Sequence, residues 1–125
     1  MSRLARACLL RKLNLAADIA ANSVAQAHGR WKGMRHARFE ATFAALDCYT
    51  ESLSQGFPPA KLVSPFDVVS MQFCMHYAFE TIQKARVMLD NVSRWLRPGG
   101  IFLGTIPNSE QLLYVYLVCI SDVGT

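Results

Sequence analysis

Residues 66–80 read Phe-Asp-Val-Val-Ser-Met-Gln-Phe-Cys-Met-His-Tyr-Ala-Phe-Glu, and no other stretch constrains the fold as strongly. Phe66, Val68, Val69 and Met71 form a short apolar run behind Ser64-Pro65, the pattern of a buried strand. Its nearly continuous apolar character suits a central strand covered on both faces, as in a parallel sheet flanked by helices. An ordinary buried strand should then give way to Gly, Asn or Asp. This one ends in Gln72, Phe73, His76 and Tyr77, groups that stack on flat rings and hydrogen-bond to them. In open α/β sheets ligands sit outside the carboxyl ends of the strands, so the sequence predicts a flat ligand there.

The remainder alternates between strand and helix patterns. Residues 3–12 are predicted as a short helix, and 13–17 as a strand ending at Asp18. Asn22 or Ser23 can cap a helix running to Met34, with Val24, Ala27, Trp31 and Met34 on one face. Residues 39–46 read as a strand ending at Asp47, and 49–62 as a loop containing Gly56 and Pro58-Pro59. The clearest helix is 80–96, where Ile82, Ala85, Met88, Leu89, Val92, Trp95 and Leu96 keep helical period. Pro98-Gly99-Gly100 is predicted to end it, 101–105 to form a fourth strand, and Ser109 to cap a last helix. Alternating strands and helices mean parallel βαβ units with right-handed crossovers. The expected fold is therefore α/β, a doubly wound, mostly parallel, Rossmann-like sheet. Asp18, Asp47 and residues 72–77 each follow a predicted strand, and are expected to converge on one cleft at the carboxyl edge of that sheet.

A chain of 125 residues suits one small domain, and 52% hydrophobic against 18% charged residues excludes a disordered chain. Net charge is +4, with Arg3, Arg6, Arg11, Lys12, Arg30, Lys32, Arg35, His36 and Arg38 gathered in the first half. That bias suits a polyanion such as RNA, and equally describes a solvated face. Cys8, Cys48, Cys74 and Cys119 form no Cys-x-x-Cys pair and have no His at metal-ligand spacing, so they read as reduced thiols of an intracellular protein, with no metal site. Cys74 reads as a small buried hydrophobe. The longest apolar run, 112–120, is half the length of a membrane span. The amino-terminal dozen residues have a faint presequence character, and read better as a helix remnant or an alternative start.

Residues 66–77, followed by Arg97-Pro98-Gly99-Gly100-Ile101-Phe102-Leu103-Gly104-Thr105-Ile106-Pro107-Asn108-Ser109, resemble the mRNA cap guanine-N7 methyltransferases. That family carries a similar Gln-Phe-x-x-His-Tyr-x-Phe-Glu run, a Pro-Gly-Gly turn and a Gly-Thr-x-Pro-Asn strand end. Asp18-Ile19-Ala20 with Ser23-Val24 resembles its second strand and following helix. The likeness covers residues 13–113 and leaves divergent ends, 1–12 and 114–125; the Gln72–Glu80 run is its specific part, and the Pro-Gly-Gly turn is common to many methyltransferases.

The resemblance implies a class I methyltransferase with S-adenosylmethionine as methyl donor, the capped 5′ end of mRNA as partner, other capping or transcription machinery, a nuclear location and no membrane. It gives Asp18 the ribose hydroxyls of the donor; without it, Asp18 reads equally as a helix cap. Asp47 would accept from the adenine amine, against a plain turn role. Gln72 and Tyr77 would border the donor. Phe73 and Tyr77 would stack on the cap guanine, His76 would hydrogen-bond its edge, and Pro107 with Asn108 would border the same cleft, against a plain loop. No residue is assigned a catalytic proton transfer, because guanine N7 carries a lone pair and no proton.

The chain also departs from the family. The family's first strand leads into an Asp-Leu-Gly-Cys-Gly-Lys-Gly-Gly-Asp-like loop whose glycines let the backbone approach the methionine part of the donor. Residues 1–12 contain no glycine. The family's acceptor side draws on residues beyond its Gly-Thr-x-Pro-Asn strand, and 112–125 do not resemble its continuing helix. A fragment, a mis-predicted gene product or a spliced remnant is expected, with the first strand missing between those ending at Asp18 and Gln72 and two sheet edges left unpaired. A non-catalytic RNA-binding or partner-binding remnant is the alternative. A small-molecule methyltransferase fits the Gln-Phe-x-x-His-Tyr run poorly, and a nucleotide-dependent oxidoreductase lacks G-x-G-x-x-G.

Overall fold

The computed structural model describes residues 5–8 by their backbone course, and 13–36 and 39–111 in full. Among the described residues, five strands form one sheet in the order β3-β2-β1-β4-β5. They are β1 (Ala5–Cys8), β2 (Leu13–Asp18), β3 (Glu40–Ala45), β4 (Phe66–Gln72) and β5 (Leu96–Thr105). β2 pairs with β3 in parallel, from Leu13↔Glu40 to Asp18↔Ala45, and β4 pairs with β5 in parallel, ending at Gln72↔Thr105. β1 runs antiparallel to both β2 and β4. The architecture is thus a mixed α/β sheet built from two parallel pairs, rather than a uniformly parallel one.

β1 corrects two expectations. Residues 5–8 of the segment predicted as a helix form a strand, and the slot predicted to be empty is filled. Ala7 pairs with Leu15 on one side and Val69 on the other. The physical reason is backbone satisfaction. Helices below roughly 12–15 residues are marginal alone, whereas β2 and β4 offer two rows of N–H and C=O groups that a short extended segment can pair with at once.

Strand β4 falls on the predicted residues. Phe66, Val69 and Met71 are buried and Val68 is half-buried. Helix α1 (Ala21–Gly33) begins at Ala20, without the predicted side-chain cap from Asn22 or Ser23; Asp18 Oδ1 instead accepts from Ala20 N–H at 2.8 Å. The predicted loop 49–62 contains α2 (Leu53–Gly56) and a 3₁₀ turn at Pro59–Lys61. Helix α3 (Ile82–Trp95) is capped by Thr81, whose hydroxyl accepts from Lys84 N–H at 3.2 Å. It ends before Pro98-Gly99-Gly100, which lies inside β5 at a register shift opposite Phe66 and Val68, with Gly99 at φ +74°. Asn108, rather than Ser109, takes the N–H groups of Glu110 and Gln111. The course of 112–125 and of 9–12 lies outside the described residues.

Alternate residues of β2 face opposite sides of the sheet. Leu15 and Ala17 join the main core with Phe66, Met88, Val92 and the buried residues of the 46–62 region. Ala16 faces a smaller cluster with Ala27 of α1 and Phe43 of β3. Helices α3 and α1 therefore cover opposite faces. Arg97 Nε, at the start of β5, pairs with Asp67 Oδ1 of β4 at 2.6 Å and ties the two strands together at their amino ends.

Candidate functional site

Because β2, β3, β4 and β5 all run the same way, their carboxyl ends share one edge of the sheet. Asp18 is the last residue of β2 and is only 3% exposed. Its Oδ2 is buried and has no hydrogen-bond partner among the described residues. A buried acceptor left unpaired is expensive, by about 1–3 kcal/mol, so it points to a donor that the described residues do not supply. Asp47 lies just past β3; its Oδ1 accepts from Tyr49 N–H at 3.0 Å, and its backbone carbonyl takes Thr50 N–H and Glu51 N–H.

Asp18, Asp47 and Tyr77 line one cleft of about 120 Å³, together with Tyr49, Glu80 and Lys84. Ligand pockets usually enclose roughly 300–1,000 Å³, so this cleft accommodates part of a drug-sized ligand and no more. Lys84 pairs with Glu80 one helical turn back across its rim, and the hydrogen bond to Glu80 raises the Lys84 pKa. Three carboxylates against one ammonium make the cleft favourable to hydroxyl and amine donors and to positive charge.

The other sequence-predicted residues do not line this cleft. Gln72 is exposed at the end of β4 and donates from Nε2 to Ser70 Oγ at 3.0 Å. Phe73 is exposed, at φ +54°, and its N–H donates to Thr105 O and Oγ1 at the end of β5. Residues 75–80 form a 3₁₀ turn (Met75–Glu80) that presents His76 and Tyr77. Their rings lie 4.1 Å apart, and His76 Nδ1 is buried without a partner among the described residues. Pro107 is exposed beyond β5.

Two residues were missed. Tyr49 Oη donates to Cys74 O at 2.7 Å, joining the loop after β3 to the segment after β4. Asn91 of α3 is 3% exposed and bonds the backbone around Asp47. Its signal was a polar residue at the spacing of Met88, Val92 and Trp95. Cys48 and Cys74 are buried thiols, and burial raises both pKa values, Cys48 to about 12. Neither is a thiolate at neutral pH.

Among the described residues no helix is long and apolar enough to cross a membrane. Residues 10–120 match the profile of the mRNA (guanine-N(7))-methyltransferase domain. Three similar proteins are each named mRNA cap guanine-N(7) methyltransferase. The one from Cryptococcus neoformans is 53% identical over 97 residues, covering 77% of this chain and 16% of that protein. The one from Schizosaccharomyces pombe is 52% identical over 96 residues, covering 77% and 26%. The one from Saccharomyces cerevisiae is 45% identical over 100 residues, covering 78% and 22%. The chain thus spans about a quarter or less of these relatives' lengths. With the matched region running over most of its own length, the chain belongs to the mRNA (guanine-N(7))-methyltransferase family.

Proposed function

We propose that this chain is part of a Rossmann-like methyltransferase domain that transfers a methyl group from S-adenosylmethionine to guanine N7 of the mRNA 5′ cap, in the nucleus and beside other capping or transcription machinery. One observation carries the reading: Asp18, Asp47 and Tyr77, from three separate parts of the chain, line one cleft at the strand ends, with the buried Asp18 Oδ2 unpaired among the described residues.

The residues present fit the nucleoside half of the donor. Asp18 would accept from ribose hydroxyls and Asp47 from the adenine amine, with Gln72 and Tyr77 beside them. His76, Tyr77 and Phe73 would hold the guanine, and Pro107 would border it. When bound, S-adenosylmethionine supplies a methyl group on a positively charged sulfur. Guanine N7 needs no base, so these side chains act by orienting the guanine and by favouring positive charge in the cleft. Arg30, Lys32, Arg35 and His36 lie exposed around the end of α1 and would meet RNA phosphates.

The reversed β1 favours a weaker role for this chain by itself, as an RNA-binding or partner-binding remnant. Cys8, its carboxyl end, pairs with Asn14 and Val68, whereas Ala5, its amino end, pairs with Ala17 and Met71 beside the cleft. A turn following β1 would leave from the edge opposite the cleft, so no glycine loop after this strand would reach the methionine half of the donor.

The test is titration calorimetry with S-adenosylmethionine and adenosine, alongside methyl transfer to capped RNA. This chain is expected to bind both ligands weakly, to turn over slowly or not at all, and to bind RNA in a salt-sensitive way. Asp18→Asn keeps the acceptor for Ala20 N–H, and is expected to lower nucleoside affinity at least tenfold while leaving Tm unchanged or higher. Unaltered affinity in that variant would sink the ribose role; tight donor binding with robust turnover by the wild type would sink the weaker role.

A further inference from the structure

Asp47 reaches the cleft on a segment, Asp-Cys-Tyr-Thr-Glu-Ser-Leu (47–53), that has no glycine or proline to fix its course. A side chain from outside the segment holds it. Asn91 donates both amide hydrogens, to Cys48 O at 2.9 Å and to Glu51 O at 2.8 Å, and its Oδ1 accepts from Leu53 N–H at 3.0 Å. One buried amide thereby satisfies three backbone groups spread over six residues, using both of its donors and one acceptor. The same segment is held at a fourth point, where Tyr49 Oη donates to Cys74 O at 2.7 Å. Cys74 immediately precedes the turn that presents His76 and Tyr77.

We infer that Asn91 is a positioning residue for the cleft: through the 47–53 segment it sets the place of Asp47, and through Tyr49 it sets the spacing between Asp47 and Tyr77. The inference rests on the methyltransferase reading of that cleft. The choice of residue type supports it. Met88 and Val92, its neighbours on the buried face of α3, are apolar, and an apolar residue at 91 would serve the core equally well. Only an amide at this depth offers two donors and an acceptor to a loop backbone. The two sets of hydrogen bonds also meet. Asn91 fixes both flanks of Tyr49, at Cys48 and Glu51, so the phenol hydroxyl is delivered to Cys74 O from a rigid base.

The experiment compares wild type with Asn91→Leu, Asn91→Ser and Tyr49→Phe, and with Val92→Ala as a variant that disturbs the same helix without touching the segment. Adenosine affinity is read by NMR titration, folding by thermal melts, and amide exchange at residues 48–53 by NMR. Asn91→Leu and Asn91→Ser are expected to weaken adenosine binding at least fivefold and to speed exchange at 48–53 at least tenfold, at temperatures where each is folded. Tyr49→Phe removes only the link to Cys74 and is expected to weaken binding about threefold with little change in Tm. Val92→Ala is expected to lower Tm while leaving affinity within twofold. If Asn91→Leu fails to fold, the serine and phenylalanine variants carry the comparison. Adenosine affinity within twofold of wild type in those two variants overturns the inference and leaves the cleft assignment standing. Wild-type protein that binds no adenosine overturns the cleft assignment itself, and the positioning role with it.

Discussion

Cys48 lies between two residues of the candidate site, Asp47 and Tyr49, yet burial keeps it out of the chemistry. Burial is the largest cause of its raised pKa, about 12 against an ordinary 9.0, and burial also raises Cys74 and Tyr49. The sign follows from proton uptake. Above pH 9 the unfolded chain releases the Cys48 proton while the folded chain keeps it, so the unfolded state gains. Stability is fully present below pH 9 and is lost as pH rises toward 12, by at most about 1.4 kcal/mol per pH unit for each such group. Thermal melts from pH 7 to 11 are expected to be flat to pH 9 and then to fall. Cys48→Ala should have a lower Tm at pH 7 and a shallower fall; an equal slope would assign the alkaline loss to other groups. Among single residues, those at strand ends were legible. Asp18 and Asp47 stand at the strand ends where the sequence put them, although each also makes the local bond of an ordinary cap or turn residue, to Ala20 N–H and Tyr49 N–H. Asn91 was not legible, because a polar residue on an amphipathic helix is ordinarily assigned to solvent.

At the scale of elements, the oversight of Asn91 has a geometric cause. Periodicity grouped Ile82 and Leu89 with the core face of α3, but they are 61% and 50% exposed, and the buried stripe runs through Met88, Asn91 and Val92. The stripe is rotated toward the 47–53 segment, which a pattern of apolar residues alone does not reveal. Strand β4 was legible over its full length because the apolar run, the proline before it and the polar exit all agreed. The strand after Pro98-Gly99-Gly100 was legible, though its start was not. Gly100 accepts a close approach that no side chain would, since a Cβ there would meet Leu96 Cδ1 at 2.6 Å and Arg97 O at 2.9 Å. Gly104 is the sharper case. A Cβ at this position would meet Met71 O, on the neighbouring strand, at 2.8 Å. Backbone does not yield as a flexible side chain does, so Gly104→Ala is expected to push β5 away from β4 and cost about 1–3 kcal/mol. Urea unfolding measures this directly, and a variant as stable as wild type would show that the sheet absorbs the methyl group.

For the whole molecule, the sequence spoke of helices on both faces of a sheet and of a shared strand-end edge, and both are present. It did not disclose that β1 would enter the sheet reversed. Four residues, Ala-Arg-Ala-Cys, carry too little pattern to specify a strand. Their conformation is set by neighbours that are distant in sequence, a tertiary effect that local propensity cannot report. The reversal also puts the carboxyl end of β1 at the sheet edge away from Asp18 and Tyr77.

The placement of β1 also fixes an order of assembly. Residue 5 pairs with residue 17 on one side and with residue 71 on the other. The near partner closes a short loop and the far one a long loop, whose closure is entropically dearer and slower. Strands β1, β2 and β3 with α1 can therefore gather early, and β4, β5 and α3 must dock afterwards to complete the core shared by Leu15 and Phe66. The chain's two tryptophans divide between these parts: Trp31 packs against Phe43 within the first, and Trp95 against the shared core. In stopped-flow refolding, the Trp95→Phe variant, reporting Trp31, is expected to recover its fluorescence in a faster phase than Trp31→Phe, reporting Trp95. A single common rate would mean that the two parts condense together. Until docking occurs, the edge of β4 that awaits β1 stands open through Val68 and Val69, so the rate of that late step sets how long the chain is exposed to self-association.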